Sequence, residues 1–172
     1  RWDERTQTGW SLHINHQGRL AFIATCNHET TTAVVSDQVL TAKCWYRAVI
    51  QRCAERQTIS LDCHPLTSAS VFPCPVIQNQ TRVDSAEPLY APDVPIMMAA
   101  ACNGFTANGQ LIPAGNFNGR MEGPVIYSGI LSETELASVV DGVRPQALGN
   151  RLLVDWDFSL DIGTTEIKDR SP

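Results

Sequence analysis

The nonapeptide TISLDCHPL, Thr58 to Leu66, restricts the fold more than any other stretch of the chain. Ile59, Leu61 and Cys63 alternate with Ser60, Asp62 and His64. A period of two puts the apolar set on one face of a strand and the polar set on the other. Such a strand belongs in an antiparallel sheet with one face in the core and one in water. Its neighbours carry the same kind of signal. Gly9–Asn15 and Arg19–Thr25 are β-rich runs separated by the turn HQG, and they read as a hairpin. Thr31–Ser36 is a third run. Cys44–Cys53 precedes Thr58–Leu66 across AERQ and makes a second hairpin.

After Leu66 the pattern loosens. Pro73, Pro75, Pro88, Pro92 and Pro95 follow closely on Pro65, so Ser68–Pro95 reads as an irregular surface excursion with short edge strands. Ile96–Asn103 is expected to resume as a buried strand, GFTANGQLIPAGN as loop, and Phe117–Gly129 as a strand pair or one bent strand. LSETELASVVDG is the single convincing helix. Ser132 is its N-cap, and Glu135 three residues on completes a capping box. Leu131 and Leu136 suit a hydrophobic staple, Leu136, Val139 and Val140 share a face, and Gly142 ends the helix. RLLVDWDF returns as a closing strand. The sum is an all-β chain: an antiparallel β-sandwich with one short capping helix near the C-terminus.

Composition narrows the partners. A net charge of −5 in 172 residues, with no basic patch, argues against nucleic acid. No apolar run is long enough for a membrane span, and no signal peptide is visible, so a cytoplasmic location without membrane attachment is expected. RWDERTQTGW and EIKDRSP read as cuts inside a longer polypeptide. Cys26, Cys44, Cys53, Cys63, Cys74 and Cys102 are widely spaced with no CxxC pair, so buried thiols are expected rather than disulfides. Asn79-Gln80-Thr81 matches a glycosylation sequon, which means little in a cytoplasmic protein.

The order of these pieces resembles the laminin-G/pentraxin-like, concanavalin A-type sandwich, a jelly-roll architecture. The resemblance is carried by a strand entered at Trp45 and by a late segment with Phe117, Gly119, Met121, Ile126, Tyr127, Leu131, Ser132, Glu135 and Leu136. The closing strand adds Trp156 and Phe158. Within that superfamily the chain is most similar to the sandwich domain in the large subunit of N,N-dimethylformamidase. RWDERTQTGWSLHINHQGRLAFIA, WYRAVIQ with ISLDCHPL, FNGRMEGPVIYSGILSETEL and the closing WDFSLDIGTTEIKD carry this narrower likeness. The resemblance implies a single sandwich domain over 1–172, lacking its first strands, cut from an amidohydrolase that splits a small formamide into an amine and formate. It implies an iron held by tyrosines and a glutamate elsewhere in that subunit. No such ligand maps onto Tyr46, Tyr90 or Tyr127, so no catalytic residue and no cofactor are expected in this chain. The expected partners are the rest of the large subunit and other subunits. Trp45, Phe117, Gly119, Ser132, Glu135, Trp156 and Phe158 are expected to be structural.

Other chemistry is weaker. His13, His16, Cys26 and His28 could bind zinc only if the loop folded back, and surface histidines are the simpler reading. Asp155 and Asp157 share a strand face with Asp161 beyond, which makes them weak calcium candidates. Glu55 with Asp62, or Glu122 with Asp157, lacks the close spacing of a glycosidase pair. Lys43-Cys44 and Cys63-His64 place a basic group beside a thiol, but inside strands, so inert thiols are expected. Trp45 and Trp156 read as core anchors, and Trp2 and Trp10 as exposed platforms or residues lacking their packing partners. The alternative function is a carbohydrate-binding or adhesion module of the laminin-G type, calcium-dependent or not. Arg47, Gln51, Ser60 and Asp62 offer no aromatic ladder for it.

Overall fold

The computed structural model describes residues 1–26, 30–53, 58–66, 79–84, 92–141, 146–158, 160 and 167–171. They form an all-β structure with one short α-helix, in two compact units, Arg1–Asn118 and Gly119–Pro172.

The first unit is a sandwich of two sheets. Its larger sheet holds β1 (Trp2–Asp3), β2 (Thr8–Ile14), β3 (Arg19–Cys26), β4 (Thr30–Val39), β8 (Ala101–Phe105) and β9 (Leu111–Ala114), in the order β4-β3-β2-β1-β8-β9. Every pairing is antiparallel except β1 with β8, where Asp3 lies opposite Cys102. The smaller sheet is β5 (Tyr46–Cys53), β6 (Thr58–Pro65) and β7 (Asn79–Asp84), all antiparallel with β6 central. Both hairpins expected from the sequence are present, and β7 is an edge strand within the proline-rich excursion.

The alternation in TISLDCHPL acts as anticipated. Ile59, Leu61 and Cys63 pack against Leu20, Phe22, Ala24 and Val34 of the larger sheet. Trp10, Leu40, Tyr46 and Ile50 flank this cluster. Full burial of each large aliphatic or aromatic side chain contributes about 1.5–3 kcal/mol. Trp2 is buried and Trp10 packs on the core, so neither is an exposed platform. Trp45 and Trp156 are half-buried.

Gly9 has a specific task. Its φ is +110°, and a Cβ there would stand 2.2 Å from the Arg1 carbonyl oxygen. Only glycine allows β1 to approach β2 this closely.

Three local expectations are corrected. The buried strand expected over Ile96–Asn103 starts only at Ala101, because Ala99 adopts a φ of 61° and its carbonyl accepts the Phe117 amide at 2.7 Å. The stretch expected to be loop is a hairpin, β8 to β9. Thr106 and Gln110 close it through a 2.8 Å backbone bond, and Gly109 takes a φ of 79°. Asn108-Gly109 is a recognised turn signal that the loop reading passed over. Between Phe117 and Gly129 only β10 (Val125–Tyr127) is extended, since Gly123 is left-handed at φ 52° and Pro124 has no amide to give a ladder.

The second unit contains the sheet β10-β11-β12, with β11 (Leu152–Asp157) between β10 and β12 (Lys168–Asp169). Helix α1 (Glu133–Val140) starts at the predicted Ser132 cap with a complete capping box: the Ser132 hydroxyl accepts the Glu135 amide, and the Glu135 carboxylate accepts the Ser132 amide. Asp141 is the C-cap, while Gly142 lies outside the described residues. A 3-10 turn over Gln146–Arg151 leads into β11. Arg151 joins helix to sheet. Its guanidinium donates to the Ser128 and Ile130 carbonyls and lies 3.4 Å from a Glu135 oxygen.

The Glu135 carboxylate accepts both the Ser132 amide, at 2.7 Å, and the Ser132 hydroxyl, at 2.9 Å, and these two bonds hold its carboxyl below the usual pKa. A depressed carboxyl contributes stability above its ordinary titration range and loses it as pH falls through the lowered value. Loss of the N-cap hydroxyl in Ser132→Ala should cost about 1 kcal/mol at neutral pH. In urea denaturation the gap between variant and parent should narrow as pH falls through the lowered value and Glu135 protonates.

Candidate functional site

The described side chains form two polar clusters. The first is on the outward face of the β5-β6-β7 sheet. Strand alternation places Ser60, Asp62 and His64 there, and the register sets Gln51, Val49 and Arg47 opposite them. His64 Nε2 lies 2.8 and 2.9 Å from the two Asp62 oxygens. Ser60 donates to the Gln51 carbonyl at 3.4 Å, so its hydroxyl is turned toward backbone rather than toward the Asp62–His64 pair. A Ser, an Asp and a His at successive same-face positions of one strand are strung along it rather than converging, which does not make a nucleophile relay.

Cys63, between Asp62 and His64, points the other way, into the core. Burial, reinforced by the Asp62 charge, pushes its thiol pKa up to about 11. The adjacent histidine therefore does not activate it, as the sequence led one to expect. Cys102 is likewise a buried thiol. Alkylation by iodoacetamide at pH 8, mapped by mass spectrometry, should leave Cys63 unmodified in the folded chain and modify it fully in urea. Because its folded pKa is raised, Cys63 favours the native state below about pH 9, and this contribution is lost as pH rises through about 11.

The second cluster is on β11. Asp155 and Asp157 do lie on one side of the strand, but a cation from the chain itself meets them. Arg170 Nη1 is 2.7 Å from Asp157 Oδ2, and Arg170 Nε is 3.9 Å from Asp155 Oδ2. Asp155 is fully buried and Asp157 half-buried. Asp169 also braces the strand: its Oδ1 accepts the amides of Asp155 and Ser171, each at 3.0 Å. The Ser171 bond is the main reason the Asp169 carboxyl is held below its usual pKa. Asp161 lies outside the described residues. Neither Arg170 nor Asp169 was anticipated. The signal available was EIKDRSP, which alternates charge like a short exposed strand but reads more readily as a tail.

The remaining candidates do not converge. His13 is on β2, and burial lowers its pKa against an opposing pull from Glu4. His16 is exposed in the following turn, and His28 lies outside the described residues, as do Glu55 and Tyr90. Among the described residues, no three or more His, Cys, Asp or Glu side chains are grouped to hold a metal ion. The Tyr46 hydroxyl accepts the Thr41 amide at 2.8 Å. Phe117 is partly exposed and Gly119 exposed, both in the irregular stretch before β10, and Phe158 is half-buried just after β11. No described helix is long and apolar enough to cross a membrane.

No family model matches the chain. It is 30% identical over 171 residues to the N,N-dimethylformamidase beta subunit of Paracoccus aminophilus, covering 95% of this chain and 22% of that protein. It is 26% identical over 177 residues to the N,N-dimethylformamidase beta subunit of an Alcaligenes species, with 97% and 22% covered. Similarity along almost the whole chain, found twice, is what the sequence pieces quoted above would produce. The chain spans about a fifth of the length of these relatives, and it is homologous to that portion of the N,N-dimethylformamidase beta subunit.

Proposed function

We propose that this chain is a non-catalytic β-sandwich module of a dimethylformamidase-type large subunit, a laminin-G-like, jelly-roll domain that serves domain and subunit packing. The observation that carries the reading is the joint one. The similarity runs over 95% of the chain and only 22% of the relative, and the described side chains include no grouped metal ligands. The whole enzyme would hydrolyse a small formamide to an amine and formate in the cytoplasm, with its iron held outside this module. The module's partners are the remainder of the large subunit and its companion subunits, with no nucleic acid or membrane. The carbohydrate-binding alternative finds less support, since Arg170 already neutralises the proposed calcium carboxylates.

The test uses the full-length protein that carries this sequence. It should release dimethylamine from N,N-dimethylformamide. Tyr46→Phe, Tyr127→Phe and Glu122→Gln should each leave kcat within about twofold, since a lost catalytic interaction costs far more. A loss of 100-fold or so in any of them, with assembly intact, would place chemistry in the module and overturn the reading.

A further inference from the structure

The two sheets of the first unit differ in their outward faces. On the smaller sheet, strand alternation turns Arg47, Gln51, Ser60, Asp62 and His64 outward. That is the polar face an antiparallel sheet shows to water. On the larger sheet Leu20, Phe22, Ala24 and Val34 are the inward set. The residues between and beside them are therefore outward, and they are apolar: Ala21 and Ile23 on β3, Ala33 and Val35 on β4. These strands read as the runs LAFIA and AVV, without the alternation of TISLDCHPL. An unbroken apolar run is the mark of a strand buried on both faces.

The register joins these residues into one patch. Ala21 lies between His13 of β2 and Val35 of β4, and Ile23 lies between Ser11 and Ala33. None of the six is Asp, Glu, Lys or Arg. Burial lowers the His13 pKa, so its imidazole is neutral at pH 7. Ala33 is exposed, and Ser11, His13, Ile23 and Val35 are only half-buried, while the small Ala21 is buried between its larger neighbours. Strand β3 is paired on both sides, so what the patch offers a partner is side chains and not backbone. Depletion of charge at an apolar centre is what sets the core of a protein interface apart from ordinary surface. A sheet that is apolar on both faces belongs between two packed layers. The smaller sheet is one of them.

We propose that the outward face of β2, β3 and β4 is covered by an uncharged, apolar layer from the remainder of the same large subunit, which makes the larger sheet the middle of three layers. This rests on the functional reading above. Two observations select the occupant. The relatives devote nearly four-fifths of their length to other portions of the same polypeptide. A layer tethered in that polypeptide acts at a high effective concentration, an advantage that a second copy and a companion subunit lack. The patch has no charge to meet a charged surface, so the covering layer must itself be neutral.

A small diazirine side chain placed at position 33 of the full-length protein tests the covering. After irradiation the cross-linked peptides are mapped by mass spectrometry. The expected adduct joins position 33 to a peptide of the same polypeptide outside these 172 residues. An adduct to a second copy, to a companion subunit or to another peptide of these residues would overturn the proposal, as would reaction with water alone. Ala33→Cys gives an independent reading with little change in volume. Its alkylation by iodoacetamide should be at least roughly tenfold slower than that of Asn108→Cys, exposed at the tip of the β8–β9 hairpin. Equal rates would contradict the covering. Protection that disappears on dilution would assign the face to a second copy and contradict it too. Formamide hydrolysis by the same protein reads the functional assignment separately, so the two can fail independently.

Discussion

Leu61→Ala should lower the stability of the first unit by about 3–4 kcal/mol, measured by urea denaturation. Leu61 is 1% exposed and lies between Ile59 and Cys63 on the central strand of the smaller sheet. Its removal leaves a cavity where β6 meets Leu20, Phe22 and Val34, and neighbours held in two sheets relax little into it. A domain of this size has about 5–15 kcal/mol in all, so the variant should be partly unfolded when warmed. Ser60→Ala, one residue away on the outward face, should change stability by less than about 0.5 kcal/mol. Equal effects at the two positions would mean that the alternation does not define the core.

Arg170→Ala should destabilise the second unit by about 2–4 kcal/mol. The change removes the guanidinium beside a fully buried Asp155 and a closer Asp157. A buried carboxylate that loses a charged neighbour costs more than the pair contributes when intact. Arg170→Ala combined with Asp155→Leu should therefore recover part of the loss, a coupling that a double-mutant cycle measures. Calcium is the contrasting explanation for these aspartates. Because Arg170 already supplies the positive charge, millimolar calcium should leave the melting temperature of the parent chain unchanged. A clear rise would restore the cation site.

What the sequence disclosed follows from how local each signal is. The Ser132–Glu135 capping box is read within four residues, and it forms as expected. TISLDCHPL is a period-two pattern that only a strand buried on one face satisfies, and the core is built on it. The ion pairs were hidden because they are not local: Arg170 meets Asp157 across a thirteen-residue separation that no periodicity encodes. The β8–β9 hairpin was legible in Asn108-Gly109, but the polar stretch around that turn outweighed it. Ile96–Asn103 went wrong for the opposite reason. Its apolar run suggested burial, yet the left-handed Ala99, tied to Phe117, delays the strand to Ala101. The polar cluster on β5 and β6 was visible only as polar positions, since the Asp62–His64 contact needs the strand geometry to be apparent.

The central claim is that this chain is a structural module and that the chemistry lies elsewhere in the large subunit. The most direct test is hydrolysis of N,N-dimethylformamide by the purified chain, followed as dimethylamine release. Bound iron is assayed on the same sample, and β structure is verified by circular dichroism. The account predicts a folded protein with no turnover above buffer and no stoichiometric iron. Turnover with bound iron would contradict it and place the catalytic centre within these 172 residues.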